Sequence, residues 1–465
     1  MIVLLVEPPK KTWGVMGDYI APPLGLAQLA AVLEKENIPV EIVDCIAQGI
    51  PMSSLQQIIL EVNPSLIGAT ALTPSFYDAL EVLRIAKKAS GEIVTVLGGP
   101  HVTFTPEETL LNHTEVDYIV RGEGEQTLLD LVNCLDRGKN PQTVKGIAFR
   151  NGEEIFVTPD QPLVDVDTLP LPAYHLLPME KYRFTVLDKY ATVLASRGCP
   201  FQCSFCAEWR FWGAKWRPRD PVKVVDEIEL LHKEYDRESF WFGDDCFNIR
   251  SDHVKGICEE ITRRCLDISW FYQGRADSVI TQQDLLPQMR ACGNLMVQIG
   301  VESSTDRELE QFKKKLKTDQ IKEAVDLLRK NDIVSQGLII VGTREDTADS
   351  IIHKLRTMKW LDPDFPIFTT LTPFPGSDTY QEARANGWIE KSDYELFDMS
   401  HVIMPTEHLT RDQLSSILYW CFKSYYMDPV KIAKGLLSRN SWKRKIWQHM
   451  LKYTGKQILS SLKWK

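Results

Sequence analysis

The feature that most constrains this fold is a regular alternation of short apolar runs with segments of helical periodicity, which occupies two long stretches of the chain. In the first stretch, the predicted strands are 2–6, 40–43, 66–69, 92–97 and 118–120. The predicted helices are 24–36, 52–62, 75–89, 107–111 and 125–135. Short apolar strands that alternate with helices are typical of a parallel sheet with both faces covered. We therefore expect a ligand site at the carboxyl ends of these strands.

The same alternation resumes near residue 190. The predicted strands are 191–195, 239–242, 270–274, 295–300, 334–341 and 367–371, and the helices between them include 222–235, 253–265, 281–291, 318–331 and 348–361. Six strand–helix units fit a partial barrel better than a closed barrel of eight units. The chemistry of such barrels is found at the carboxyl ends of the strands.

These patterns predict an α/β chain with four segments. Residues 1–140 form a parallel-sheet domain, and residues 190–385 form the partial barrel. The linker between them, 141–189, holds a predicted hairpin of strands 146–149 and 154–157 and a proline-rich stretch, 159–178. Residues 386–465 are predicted to be mostly helical and to end in a basic tail.

Three cysteines lie on the loop that follows the first predicted strand of the barrel. Cys199, Cys203 and Cys206 have the spacing C-x3-C-x2-C. Three thiolates on one tight loop can hold three irons of a cubane cluster and leave the fourth iron open to a small ligand. A zinc site usually has four nitrogen or sulfur ligands in paired spacing, and the chain has no second cysteine pair. Three ordinary buried cysteines are the other alternative, which the Gly-Cys-Pro context disfavours.

The rest of the composition indicates a reducing environment and gives no sign of a nucleic-acid partner. The other seven of the ten cysteines stand apart, which is unlike a disulfide framework and fits the cytoplasm. The net charge of −9 does not indicate DNA binding. No run of 18 apolar residues occurs, so no membrane span is predicted.

The last segment differs from the rest in charge. Residues 428–465 contain ten Lys or Arg against one acid, so the segment carries +9. Trp442, Ile446, Trp447 and Leu451 recur within it at helical spacing. We favour an amphipathic helix that packs on the barrel. The alternative is a dock for an acidic macromolecule or a membrane surface.

The cysteine loop after a barrel's first strand resembles the defining motif of the radical S-adenosylmethionine (SAM) superfamily. The first domain is similar to the Rossmann-like cobalamin-binding domain of the cobalamin-dependent class, which includes the class B radical SAM methyltransferases. That similarity rests on the motifs Pro8-Pro9, Pro22-Pro23-Leu24-Gly25-Leu26, Gly98-Gly99-Pro100-His101 and Gly122-Glu123-Gly124-Glu125. The resemblance covers residues 1 to about 380 and implies a cobalamin-binding domain followed by a radical SAM partial barrel.

For the barrel, the resemblance implies that Cys199, Cys203 and Cys206 ligate a [4Fe–4S] cluster whose open iron chelates SAM. The segment 242–247 ends the second barrel strand, where the family binds the SAM amino group. A helix N-cap is the alternative role for the two aspartates of this segment. The residues implied to contact SAM are Phe205, Asp244, Asp245, Arg275, Glu302 and Ser303. Arg275 is expected to meet the SAM carboxylate or ribose.

For the first domain, the resemblance implies contacts with cobalamin. Neither His101 nor His113 fits the D-x-H-x-x-G motif that supplies a cobalt ligand in many cobalamin proteins. We therefore predict that no histidine ligates cobalt and that Leu72 or Thr73 lies nearest to it. A strand-to-loop turn is the alternative role for His101. The residues implied to contact cobalamin are Pro8, Pro9, Leu24, Leu72, Thr73, Gly98, Gly99, His101, Gly122 and Glu123.

The activity implied by the resemblance is methyl transfer from methylcobalamin to an unactivated carbon through a 5′-deoxyadenosyl radical. A ferredoxin or flavodoxin is the expected reductant, and oxygen sensitivity is expected because the open iron is exposed. One acceptor that the resemblance suggests is a protein side chain, as in methyl-coenzyme M reductase. The alternatives are a cobalamin-dependent cyclase of the anaerobic Mg-protoporphyrin monomethyl ester type and a non-catalytic corrinoid or iron–sulfur sensor. No residue is assigned to the substrate, and packing is the favoured role of Trp209, Trp212 and Trp216 near the barrel mouth.

Overall fold

The structure is a computed structural model that describes residues 1–9 and 19–462, with side chains as far as residue 452. The predicted α/β class is confirmed, because the chain forms two largely parallel sheets flanked by helices. The end of the basic tail, residues 453–465, lies outside the described side chains.

The first sheet is built from short apolar strands. The strands of this part of the chain are β1 (Val3–Glu7), β2 (Tyr19–Ile20), β3 (Val40–Asp44), β4 (Leu66–Thr70), β5 (Val94–Gly98), β6 (Tyr118–Val120), β7 (Ile147–Asn151) and β8 (Glu154–Val157). The helices are α1 (Leu24–Lys35), α2 (Cys45–Gln48), α3 (Leu55–Val62), α4 (Phe76–Ala89), α5 (Pro100–Phe104), α6 (Pro106–Asn112) and α7 (Gly124–Asp136).

Side chains alternate between the two faces of this sheet, and both faces are covered. Val3 and Leu5 of β1 enter the core beneath α1 and α7, whereas Leu4 and Val6 enter the core beneath α3 and α4. A strand buried on both faces reads as a continuous apolar run, which is why the sequence pattern located these strands within one or two residues.

The predicted hairpin forms, and it extends the first sheet. The strand order is β3-β1-β4-β5-β6-β7-β8, in which β7 and β8 are antiparallel to their neighbours. Tyr118 of β6 pairs with Phe149, and Val120 pairs with Ile147. The hairpin covers the edge of β6 that would otherwise present unpaired backbone groups.

The second sheet is the partial barrel. The remaining strands are β9 (Arg183–Phe184), β10 (Tyr190–Val193), β11 (Ser196–Arg197), β12 (Arg217–Pro218), β13 (Ser239–Phe242), β14 (Ser269–Gly274), β15 (Asn294–Glu302), β16 (Val334–Val341) and β17 (Phe365–Thr370). The remaining helices are α8 (Glu208–Phe211), α9 (Pro221–Glu234), α10 (Ser251–Arg263), α11 (Ala276–Thr281), α12 (Leu286–Ala291), α13 (Asp306–Gln311), α14 (Thr318–Lys330), α15 (Ala348–Leu361), α16 (Asp378–Ala385), α17 (Arg411–Tyr426), α18 (Pro429–Leu436) and α19 (Ser441–Leu462).

The barrel sheet has six parallel strands in the sequential order β10-β13-β14-β15-β16-β17, as predicted. The helix predicted over 281–291 is shorter in the structure, because α12 begins only at Leu286 and Thr281 is the last residue of α11. Pro287 lies in the first turn of α12, and its ring would clash with the carbonyl of residue 283 if the helix continued from Thr281. Two short ladders, β2 with β9 and β11 with β12, lie outside the main sheets.

The segment between the sheets is held by buried contacts to both. The Tyr182 hydroxyl donates to the Asp44 carboxylate at the end of β3, at 2.8 Å. The Tyr174 hydroxyl donates to the Glu227 carboxylate on α9 of the barrel. Ala173, together with both tyrosines, belongs to a core cluster that runs from β1 to the barrel strands. These contacts fix the first domain against the barrel.

The C-terminal helices pack against β17, the last strand of the barrel. Trp447 of α19 is only 2% exposed, and its ring lies 5.8 Å from the rings of Phe365 and Tyr426. This burial confirms the interpretation of the tail as an amphipathic helix packed on the barrel. No helix in the described part of the chain combines the length and the apolarity that crossing a bilayer requires.

Packing of α18 on α19 depends on a glycine. A Cβ atom on Gly435 would lie 2.3 Å from the Trp447 ring, so we expect Gly435→Ala to lower the free energy of unfolding by about 1–3 kcal/mol. Gly25 of α1 is the helical control, because no atom lies within 4 Å of its Cβ position. Denaturant unfolding without cofactors checks both variants. Equal stability of the two would contradict the close packing.

Candidate functional site

The cysteine loop connects β11 to α8 at the carboxyl end of the barrel. It begins at Gly198, which has a φ of +86°. A Cβ atom at this position would lie only 2.2 Å from the Lys215 carbonyl oxygen, so both the conformation and the space require glycine. The Gly198 N–H donates to the Asp245 carboxylate at 3.0 Å. Cys203 is buried, whereas Cys199 and Cys206 are partly exposed. The loop is therefore anchored at its start and open along one side.

Cys199 is the member of the loop whose surroundings favour the thiolate form. A hydrogen bond from the Cys246 thiol and the positive charges of Lys314 and Arg275 lower the pKa of Cys199 to about 7. This shift favours the thiolate, which is the form that binds metal. Burial raises the pKa of Cys203 and of Cys206.

The set of donors distinguishes a zinc ion from a cluster. A zinc site usually has four nitrogen or sulfur ligands in paired spacing, and the chain has no second cysteine pair. A cubane binds each thiolate through a different iron, so its cysteines do not need to converge on one point. The three-thiol loop therefore fits a cluster better than the zinc alternative.

Asp244 and Asp245 follow β13 and support the segment that leads into the loop. Asp244 accepts hydrogen bonds from the Ala195 N–H, at 3.1 Å, and from the Ser196 hydroxyl. Burial raises the pKa of Asp244 to about 6. Neither aspartate caps a helix, because α10 begins only at Ser251. Their proposed contact with SAM stays a prediction.

Arg275 and Glu302 lie near the cysteine loop, at the ends of β14 and β15. The Arg275 guanidinium carbon lies 3.7 Å from the centre of the Phe201 ring, which belongs to the cysteine loop. Arg275 also donates to the Asp277 carboxylate at 2.8 Å and to the Lys314 carbonyl at 2.9 Å. The Lys314 ammonium donates to the Glu302 carboxylate at 2.7 Å. Both predicted residues thus belong to one charged group beside the cysteines.

The other two predicted SAM residues, Ser303 and Phe205, contact neighbouring side chains of the barrel. Ser303 is buried, and its hydroxyl donates to the Glu308 carboxylate at the start of α13. The Phe205 ring meets the Phe312 ring edge-on, with ring centres 5.2 Å apart.

A mainly apolar cavity of about 310 Å³ lies at the carboxyl ends of β4, β5 and β6. Its other wall comes from the barrel and includes Arg197, Phe211 and Trp212. Five of the predicted cobalamin residues line it, namely Leu24, Gly98, Gly99, Gly122 and Glu123. A large, mainly apolar cavity at a domain interface is typical of a cofactor site.

The remaining predicted cobalamin residues lie outside that cavity. Pro8 and Pro9 follow β1, and Leu72 is 42% exposed on the loop after β4. His101 is buried, with Nδ1 at 3.3 Å from the Thr73 hydroxyl and its ring 4.3 Å from that of Phe76. Burial lowers the pKa of His101 to about 3, so the ring is neutral. Among these, Leu72 is the side chain that the loop presents outward.

A buried group of charges joins the cavity to the cysteine loop. Glu123, at the start of α7, binds Arg197 at 2.8 Å and Arg217 at 2.9 Å. Arg197 also binds Glu125 at 2.7 Å. Burial would raise the pKa of Glu123, but the two arginines outweigh it and hold that pKa below its ordinary value. Because Arg197 is the last residue of β11, the first domain contacts the barrel one residue before the cysteine loop begins.

Sequence reasoning missed several of these residues. Lys314 lies in a run of three lysines, which is usually a solvated surface, yet it is 8% exposed beside the cysteines. Cys246 stands alone in the sequence, although in the fold it interacts with Cys199 and lowers the pKa of that thiol, while its own thiol donates to the Asn248 side chain at 3.8 Å. Arg197 and Arg217 carried no signal beyond their position near the motif.

Two domain families match the chain. The B12 binding domain matches residues 15–132, and the Radical SAM superfamily matches residues 193–358. Two curated relatives align along most of their length. One is an uncharacterised methyltransferase, PH0819, of Pyrococcus horikoshii, 33% identical over 95% of this chain and 96% of the relative. The other is the anaerobic magnesium-protoporphyrin IX monomethyl ester cyclase of Rubrivivax gelatinosus, 33% identical over 92% of this chain and 78% of the relative.

A solved structure has the same fold. The cobalamin-dependent S-adenosylmethionine radical enzyme OxsB, with aqua-cobalamin and S-adenosylmethionine bound, superposes with a TM-score of 0.76. The superposition covers 98% of this chain and 71% of that chain at 19% sequence identity. At this identity, the likeness concerns the fold alone.

The domain matches and the curated relatives agree with each other. The two domain families name cobalamin and SAM as the cofactors of this chain, and radical SAM chemistry implies a [4Fe–4S] cluster. The two curated relatives are enzymes and align with nearly the whole of this chain, which indicates an enzyme rather than a non-catalytic sensor. The chain therefore belongs to the cobalamin-dependent radical SAM enzymes, a family that includes methyltransferases.

Proposed function

We propose that this enzyme transfers a methyl group to an unactivated carbon. Cys199, Cys203 and Cys206 hold the cluster, and the cavity at the end of the first sheet takes part of the cobalamin. The observation that carries this proposal is that one cavity is lined both by predicted cobalamin residues and by Arg197, two residues before Cys199. We therefore expect cobalamin and the cluster to lie on opposite sides of the short segment from Arg197 to Cys199.

When bound, the cluster would supply the electron that cleaves one SAM to 5′-deoxyadenosine and methionine, and cobalamin would pass on a methyl group taken from a second SAM. The residues of the chain position these groups and exclude water. Gly198 sets the path of the cysteine loop, and Asp245 fixes its first N–H. Arg275 and Lys314 place positive charge beside Cys199, which keeps its thiolate stable. Arg275 is proposed to meet the SAM carboxylate, since guanidinium and carboxylate pair well.

The test of methyl transfer uses methyl-labelled SAM. Anaerobically reconstituted enzyme with cobalamin and a reductant should pass the label to its acceptor and release 5′-deoxyadenosine. A protein side chain as acceptor, as in methyl-coenzyme M reductase, is tested by adding candidate proteins and measuring their masses by mass spectrometry. Ferredoxin and flavodoxin are the proposed reductants and are compared in the same assay.

A cyclase is the second candidate function, because the relative from Rubrivivax gelatinosus is as similar to this chain as the methyltransferase relative is. The two candidates differ in the product. A cyclase forms a ring and leaves no new methyl group on its product. Magnesium-protoporphyrin IX monomethyl ester converted without incorporation of label would therefore support the cyclase instead.

Leu72 tests the placement of cobalt. If Leu72 lies nearest to cobalt, a Leu72→His variant places an imidazole, which is a common metal ligand, within reach of the cobalt. We expect the absorption spectrum of bound cobalamin to change and methyl transfer to slow. Leu111→His is the control, because Leu111 is 71% exposed on α6 and is not a predicted cobalamin contact. An unchanged spectrum in Leu72→His would show that this assignment is wrong.

A further inference from the structure

Exposed apolar side chains are concentrated at the C-terminal end of the molecule. Six of the fourteen large hydrophobic residues that are exposed among the described residues lie between residues 360 and 437. We call them the C-terminal apolar patch: Trp360, Tyr419, Trp420, Met427, Val430 and Leu437. Exposed apolar residues are common singly, but a group with three large aromatic rings marks an interaction surface.

The helix geometry brings these side chains to neighbouring positions. Trp420 lies on α17 and Met427 caps its C-terminus seven residues later, and Val430 and Leu437 have the same relation to α18. Residues seven apart project to about the same side of a helix. The ion pair between Lys359 and Asp428, at 3.0 Å, fixes the end of α15 beside the junction of α17 and α18. Trp360 follows Lys359 directly on α15, so its backbone lies next to this ion pair, and its side chain is 49% exposed.

The charge around this patch is positive. Lys423, Lys434, Arg439 and Lys445 are exposed on the same three helices, α17 to α19, or between them. Within the described side chains of residues 428–452, seven Lys or Arg stand against one acid, Asp428. Three of them, Lys431, Lys434 and Lys443, pair with Asp362 or Asp364. The exposed cations beside the apolar patch still outnumber the exposed acids of these helices.

We propose that this patch docks the enzyme on an anionic lipid surface. Tryptophan and tyrosine favour the boundary between water and acyl chains, and lysine and arginine favour anionic headgroups. The outer faces of α17 and α18 can rest on such a surface while Trp447 of α19 stays packed on the barrel. A symmetric contact with a second copy is disfavoured, because it would bring two cationic surfaces together.

The test is sedimentation of the full-length protein with vesicles. We expect binding to phosphatidylcholine vesicles that contain phosphatidylglycerol, little binding to phosphatidylcholine alone, and loss of binding at high salt. The double variant Trp420→Ser and Val430→Ser should bind roughly tenfold more weakly. The triple variant Lys423→Glu, Arg439→Glu and Lys445→Glu should bind at least as poorly, because each cation contributes about a fivefold effect.

The control is the pair Leu60→Ser and Leu111→Ser, two exposed leucines of the first domain, which should bind as the unchanged protein does. Release of 5′-deoxyadenosine without vesicles should be the same in all variants, which separates docking from the proposed chemistry. Failure to sediment with anionic vesicles, or equal binding by the patch variants and the control, would overturn the proposal. A dimer that the patch variants dissociate, without vesicle binding, would also overturn it.

Discussion

A Cys203→Ala variant is expected to lose most of its iron and to release no detectable 5′-deoxyadenosine. Cys203 is the buried member of the cysteine loop, so its removal leaves one iron without a thiolate and admits water beside it. The loss should reach several orders of magnitude, because the cluster is the source of the electron that starts the reaction. The loss is measured after anaerobic reconstitution. The content of iron and sulfide and the absorbance report the cluster, and the release of 5′-deoxyadenosine reports the activity.

Cys265→Ala is the matched control. Cys265 is exposed and follows α10, away from the cysteine loop in the sequence. This variant should incorporate iron and turn over as the unchanged protein does. Normal iron content in Cys203→Ala would contradict the assignment of the loop as the cluster site, and loss of iron in Cys265→Ala would contradict its specificity.

Arg197→Met is expected to destabilise the folded protein by about 3 kcal/mol or more. The change removes the partner of Glu125, whose side chain is 8% exposed, and one of the two partners of Glu123, which is 3% exposed. A buried carboxylate without its partner is costly, whereas the methionine replaces only the apolar part of the arginine. Denaturant unfolding without cofactors measures the effect.

The same variant should also bind cobalamin more weakly, because Arg197 lines the cavity. Arg307→Met is the control, because Arg307 pairs with Glu345 at the surface. The Arg307 side chain is 78% exposed and the Glu345 side chain is 62% exposed. Exposed pairs contribute about 0–1 kcal/mol, so the control should be nearly as stable as the unchanged protein. If the two variants proved equally stable, the buried charges would not hold the two domains together.

The elements of this fold were predictable where burial alone decides the residue type. The strands 118–120, 239–242 and 334–341 were located within their observed bounds, because each is a run buried on both faces. The addition of the 147–157 hairpin to the first sheet was not predicted, because a hairpin's own sequence does not specify the strand beside which it lies.

The site was predictable where backbone conformation or spacing restricts the residue. Cys199, Cys203 and Cys206 stood out by spacing, and Gly98, Gly99 and Gly122 stood out as glycines at strand ends. Gly99 illustrates the reason. Its φ is +102°, and a Cβ atom added at this position would lie 2.7 Å from the Ala71 carbonyl oxygen. Partners brought in from distant segments were not predictable.

Arg197, Arg217 and Lys314 are examples of such partners. Their sequence neighbourhoods resemble ordinary charged surface, and only the packed structure brings each beside a buried carboxylate. Glu123 was predicted as a cobalamin contact. The structure places it on the wall of the cavity and also assigns it to the ion cluster between the domains.

The proposed chemistry is tested by product release from enzyme reconstituted anaerobically with iron, sulfide and cobalamin and supplied with SAM and a reductant. Both 5′-deoxyadenosine and S-adenosylhomocysteine are expected, the second only when cobalamin is present. Enzyme that retains its iron and cobalamin but releases neither product would contradict the proposed chemistry.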